Sequence, residues 1–133
     1  MPYTIIDHTA DIGVRVNSPT IAMLFKEAAF ALADILGGWG HRRSDEISIN
    51  ARGIDLEDLL VRWLQEILYL IEVKGWRPVS ICIEELSETE ARGVLEGACT
   101  GEPLAAEVKA VTYHNLKIVH IGNNFEATII LDM

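Results

Sequence analysis

Two spacings alternate along this chain, one in which every second residue is apolar and one in which apolar residues recur every three or four, and together they predict its elements. From Asp11 to Asn17, Ile12, Val14 and Val16 share one face of an extended chain, and Asp11, Gly13, Arg15 and Asn17 share the other. That is the pattern of a half-buried strand. Ser18-Pro19-Thr20 then offers a turn and a cap, and Ile21, Leu24, Phe25, Ala28, Ala29, Leu32 and Leu36 follow at helical spacing until Gly37-Gly38 stops them. Glu46 to Ala51 alternates again, with Ile47, Ile49 and Ala51 inward. A second helix opens at Gly53-Ile54-Asp55, where Asp55 can accept amide hydrogens of the first turn, and Glu57 and Asp58 add favourable charge at the helix's positive end. Its stripe is broad: Leu56, Leu59, Leu60, Trp63, Leu64, Ile67, Leu68 and Ile71, with Arg62, Gln65, Glu66 and Glu72 on the wet side. The helix should end around Lys74-Gly75, leaving Val61 and Tyr69 on uncovered faces.

From Pro78 onward the pattern is mainly of strands. Val79–Leu86 and Ala91–Thr100 can pair across the polar turn Ser87 to Glu90. Glu107–Tyr113 reads as extended, and Leu116–Ile121 and Phe125–Asp132 flank Gly122-Asn123-Asn124, a good hairpin turn. Strand, helix, strand, helix and a run of strands make an α+β pattern. Two amphipathic helices on one face of a mostly antiparallel or mixed β-sheet predict a two-layer sandwich. No linker, repeat or low-complexity stretch divides the chain, so residues 1–133 are read as a single domain.

At 50% apolar and 23% charged residues, the chain can bury a sizeable core. Its apolar runs are too short to span a bilayer, and Met1-Pro2-Tyr3-Thr4 leads directly into a strand pattern with no basic start. The expectation is a soluble cytoplasmic protein with no membrane partner. A net charge of −9 argues against direct nucleic-acid binding, since the one basic pair, Arg42-Arg43, is followed at once by Asp45-Glu46. An acidic surface suits a basic protein partner or bound cations. Cys82 and Cys99 form no metal-ligand spacing, and their apolar neighbours predict two reduced core thiols.

Three segments could carry chemistry: Asp7-His8-Thr9-Ala10-Asp11-Ile12-Gly13, Lys109-Ala110-Val111-Thr112-Tyr113-His114, and the ending Leu131-Asp132-Met133. On the first strand Asp11 lies opposite the core-facing residues. On the last, Phe125, Ala127, Ile129 and Leu131 share one face, which puts Asp132 on the other. If these strands are neighbours, Asp11 and Asp132 converge at one end of the sheet, where the α-carboxylate of Met133 could join them. Carboxylates held together repel unless a proton or cation intervenes, and an all-oxygen set favours a hard ion. The alternative is two solvated aspartates capping loop amides. His8 could act as a base or a nitrogen ligand, or simply hydrogen-bond a loop. Lys109 and His114 lack an accompanying Ser or Cys nucleophile motif, and no phosphate-cradling glycine loop is present.

The chain resembles the archease family. The resemblance is carried by Asp7–Gly13, by Asp55–Leu64 (Asp-Leu-Glu-Asp-Leu-Leu-Val-Arg-Trp-Leu), by Glu107–His114 and by Phe125–Met133, four collinear motifs spanning nearly the whole sequence. It implies an accessory protein without catalysis or a small-molecule substrate of its own. Such a protein assists the GTP-dependent, RtcB-type RNA ligase of tRNA splicing, promoting guanylylation of the ligase histidine and multiple turnover, and broadening nucleotide choice. It also implies a divalent cation, calcium first, with magnesium or manganese as alternatives. The implied ligands are Asp11, Asp132 and the main-chain oxygens of Met133. His8, Lys109 and His114 are the implied contacts for ligase activation. Two other readings stay open: a chaperone-like modulator of several nucleic-acid-modifying enzymes, and a small metal-dependent phosphoester hydrolase.

Overall fold

The computed structural model describes residues 3–8 and 11–133, the side chains of residues 6–8 excepted. In chain order the elements are β1 (Tyr3–His8), β2 (Asp11–Ser18), α1 (Ile21–Leu36), β3 (Asp45–Arg52), α2 (Leu56–Glu72), β4 (Trp76–Leu86), β5 (Glu90–Cys99), β6 (Ala110–Thr112), β7 (Ile118–Ile121) and β8 (Asn124–Asp132). The α+β class is as the patterning predicts: two helices packed against antiparallel sheets. The strands divide into two sheets, however. One has the order β1-β2-β8-β6, with β7 also on β8, and the other is β3-β5-β4.

Both helices begin where their caps direct. The Thr20 hydroxyl accepts the Met23 amide at 3.1 Å, and the Asp55 carboxylate accepts that of Asp58 at 2.8 Å. Residues at the predicted apolar spacing fill the core, with Leu24, Phe25, Leu32, Leu59, Trp63 and Ile67 fully enclosed. Helix α1 touches β1, β2 and β8 of the large sheet and β4 of the small one. Helix α2 touches β3, β4 and β5 of the small sheet and β6 of the large one. Contact with two sheets explains why Val61, expected on an uncovered face, is fully buried, whereas Tyr69 is half exposed.

The cysteines are not core thiols, because both are exposed. Strand β4 alternates at this point: Ile81 faces the core, so Cys82 faces out, opposite Val94. Cys99 ends β5 and its Sγ donates to the Lys74 carbonyl at 2.8 Å. Arg77 is buried on β4 and, among the described residues, has no carboxylate partner. Its guanidinium donates to the carbonyls of Ile71 and Trp76, each at 2.8 Å, and of Glu102 at 2.9 Å. Ile71 lies in the last turn of α2, whose carbonyls have no partner within the helix, so Arg77 satisfies one while its own donors are satisfied.

The last hairpin closes where predicted, but Asn124, expected in the turn, opens β8. Ile121 pairs with Asn124, leaving Gly122-Asn123 as a two-residue turn in which Gly122 adopts φ 61°. The extended reading of Glu107–Tyr113 holds only for Ala110–Thr112, and Leu116–Ile121 pairs only from Ile118. Among the described residues no helix is long and apolar enough to cross a membrane.

Strand β5 packs tightly under α2 at Gly93. A Cβ built there would lie 2.3 Å from the Cys82 carbonyl oxygen and 2.6 Å from the Trp63 ring. Neither backbone nor an enclosed indole can move aside cheaply. Gly93→Ala should therefore destabilise the protein by about 3 kcal/mol. A urea titration should show this as a lower midpoint at unchanged slope.

Candidate functional site

The core decides the site's geometry. Val14 pairs with Ile129 and Val16 with Ala127, all four buried, so the register of β2 on β8 is set by the face that must be enclosed. Counting along that register from Val14, Asp11 stands directly opposite Asp132. Their Cα atoms are therefore about 5 Å apart with both side chains on one face. The ladder continues on both sides: His8 is opposite Asp11 on β1, and Ala110 is opposite Asp132 on β6. One row, His8, Asp11, Asp132 and Ala110, thus crosses four strands at one end of the large sheet.

Lys109 joins this row through its backbone, its amide donating to the Asp132 carbonyl at 2.7 Å. Its side chain is exposed. Met133 follows Asp132 and packs its side chain against the core, continuing the alternation in which Leu131 is buried. His8's side chain, and residues 9 and 10 of the same motif, lie outside the described residues. His114 is not brought to the row. Strand β6 runs away from it, with Thr112 opposite Ile130, and His114 lies beyond, in a turn with Asn115 at φ 51°. There its amide donates to the Thr112 hydroxyl at 3.3 Å.

Among the described side chains of the row the donors are hard oxygens, two carboxylates with adjacent main-chain carbonyls, a set suited to calcium, magnesium or manganese rather than to a soft ion. Like charges directly opposite on neighbouring strands destabilise a sheet, and a cation would relieve that repulsion. Among the described residues no group of three or more His, Cys, Asp or Glu is placed to hold a metal. An ion held by the described side chains of the row would need further oxygens, from the main chain or water, to complete its coordination.

A second polar centre was not foreseen. Asp58, nine-tenths buried in the first turn of α2, accepts three hydrogen bonds: from the Tyr113 hydroxyl at 2.6 Å, the Ile54 amide at 2.9 Å and Arg62 Nε at 3.0 Å. These donors all favour the ionised form. The Tyr113 hydrogen bond is the largest cause, and with the Ile54 amide and Arg62 it holds the Asp58 carboxyl below the ordinary carboxylate value. The same bond raises the Tyr113 phenol. Asp58 belongs to the motif Asp55–Leu64 and Tyr113 to Glu107–His114, so this carboxylate joins two segments far apart in the chain. In the sequence its signal was only an acidic residue three places after a cap.

Around these two centres lies an α+β sandwich that gathers facing carboxylates at a strand end of its larger sheet. The model of the archease protein family matches residues 3–133. The archease proteins of Archaeoglobus fulgidus and Methanopyrus kandleri are 33% and 36% identical to the chain, each alignment covering all of both proteins. A crystal structure from Thermotoga maritima, described as an archease and possible chaperone, superposes with a TM-score of 0.73 at 25% identity, covering 96% of this chain and 94% of that one. A solution structure of a Methanobacterium thermoautotrophicum protein shares the fold, with a TM-score of 0.72 and 99% coverage of both chains at 24% identity. The chain belongs to the archease family.

Removing the Tyr113 hydroxyl tests the second centre. In Tyr113→Phe the Asp58 carboxyl should titrate at a higher pH than in the parent, measured from its side-chain carbon shift by NMR. Because the folded-state pKa is depressed, the stability Asp58 contributes is present above its unfolded pKa and is lost as pH falls through the folded value. The parent should therefore lose more stability on acidification through that window than the variant does.

Proposed function

We propose that this protein is an accessory factor that activates a GTP-dependent RNA ligase of the RtcB type, promoting guanylylation of the ligase's histidine and repeated turnover and widening its nucleotide use. The observation that carries this reading is the row at the end of the large sheet. Three of the four archease motifs meet there: Asp11 from the first, Lys109 through its backbone from the third, and Asp132 from the last.

In this reading Asp11, Asp132 and the main-chain oxygens of Met133 hold a divalent cation, calcium first, with magnesium or manganese as alternatives. When bound, such an ion supplies charge neutralisation beside a phosphoryl group. The chain's own residues do the rest. Asp11 and Asp132 are held at fixed separation by the ladder, so they present their charge without reorganising. The exposed Lys109 offers an ammonium to the nucleotide's phosphates or to an acidic group on the ligase. The net charge of −9 suits docking beside a basic RNA channel while disfavouring competition for the RNA itself. His8 completes the row as a further ligase contact, and His114, away from it, serves a separate one.

A second reading is a chaperone-like modulator of several nucleic-acid-modifying enzymes, favoured by the words "possible chaperone" attached to the Thermotoga maritima structure. The two differ over Asp132. Covalent labelling of the cognate ligase by radioactive GTP, with substoichiometric amounts of this protein, should be accelerated. Asp11→Ala and Asp132→Ala should each slow that stimulated rate about 100-fold, with unchanged circular dichroism. Full stimulation by either variant would remove the row from the mechanism, and stimulation of many unrelated clients without Asp132 would favour the chaperone reading.

A further inference from the structure

The segment that delivers Lys109 is paired into the large sheet by three residues only, Ala110 to Thr112. So short a strand specifies its own register weakly, and a one-residue slip would exchange its faces. The burial pattern also breaks here. Val111 faces the core, so a regular strand would turn Lys109 inward and Val108 outward. Instead Val108 is buried and Lys109 exposed. At the break, the Val108 amide donates to Glu72 Oε2 at 3.0 Å, while the next amide, that of Lys109, goes to the Asp132 carbonyl.

Glu72 is the last residue of α2, and it is one of three carboxylates on that helix that grip the same stretch of chain. Asp58 accepts the Tyr113 hydroxyl, and Glu57 Oε2 accepts the Ile118 amide at 3.0 Å. From Glu57 to Glu72 the helix rises about 22 Å, a rigid edge running alongside residues 108 to 118. The grips at Asp58 and Glu57 lie beyond β6. Glu72 alone of the three acts before it, where the alternation fails.

We infer that Glu72 is the positioning residue for Lys109: by accepting the Val108 amide it holds the break that turns the lysine out of the core beside Asp132. This rests on the proposed role of Lys109 in ligase activation, but its structural half is testable without the ligase. Two amides report it in NMR hydrogen exchange, those of Lys109 and of Leu131, the latter in the neighbouring ladder. Glu72→Met keeps the length of the side chain and removes the acceptor, and Glu72→Ala removes the side chain. In either, the Lys109 amide should exchange about tenfold faster while Leu131 is unchanged. Glu72→Gln retains an acceptor oxygen and should behave as the parent. An unchanged Lys109 amide in the Met and Ala variants, or a Gln variant that exchanges like them, overturns the inference.

In GTP labelling of the ligase, Glu72→Met should slow the stimulated rate, and should add nothing in a Lys109→Ala background. Additive losses would mean that Glu72 does not act through Lys109. Absence of stimulation by the parent protein would instead sink the ligase reading, leaving the exchange result to decide whether Glu72 holds Lys109.

Discussion

Pairing of β2 with β8 is the constraint on which the rest of this molecule depends. Eight successive pairs, from Asp11 with Asp132 to Ser18 with Phe125, join two strands from opposite ends of the chain at the centre of the large sheet. Their register is decided by apolar burial, since Val14, Val16, Ala127, Ile129 and Leu131 must all face the helices. A slip of one residue would turn that set to solvent. The carboxylates at the end of the ladder are thus held together by the hydrophobic core, several residues away from them.

Helix α2 connects this sheet end to the rest of the fold. Its apolar stripe packs against both sheets, so its position is over-determined, and its carboxylates can use that rigidity to hold a segment with little regular structure of its own. Residues 108–118 run from just before the three-residue strand β6 to the start of the four-residue strand β7, and apolar anchors at Val108, Val111 and Leu116 seat them in the core. Apolar contacts alone set depth but not direction. Hydrogen bonds to Glu72, Asp58 and Glu57 supply the direction. Arg77 does similar work at the other side of α2's last turn, where a buried cation is tolerated because carbonyls meet its donors.

Local patterning carried far into the structure because most elements here agree with their own sequences. The caps at Thr20 and Asp55, the stripe of α2 and the Gly122-Asn123 turn each rest on interactions within a few residues, and each was legible as such. The off-core placement of Asp11 and Asp132 also follows from alternation alone. Alternation misled where the surroundings differed from the simplest case. Cys82 follows the face of β4 rather than its apolar neighbours, and Val61 is covered because its helix meets two sheets instead of one.

By itself, then, the sequence determined which segments are helices and strands, which face of each is apolar, and that two acidic strand ends point away from the core. These are short-range consequences of side-chain periodicity and capping. Only the tertiary structure decided that the strands form two sheets and that the two acidic ends stand directly opposite each other. It also decided that Asp58, Glu57 and Glu72 hold the segment bearing Lys109. The physical reason is that each of these depends on partners 36 to 121 residues apart or on a competition between packing faces. Such partners meet only when burial of the whole core selects one register and one arrangement of layers.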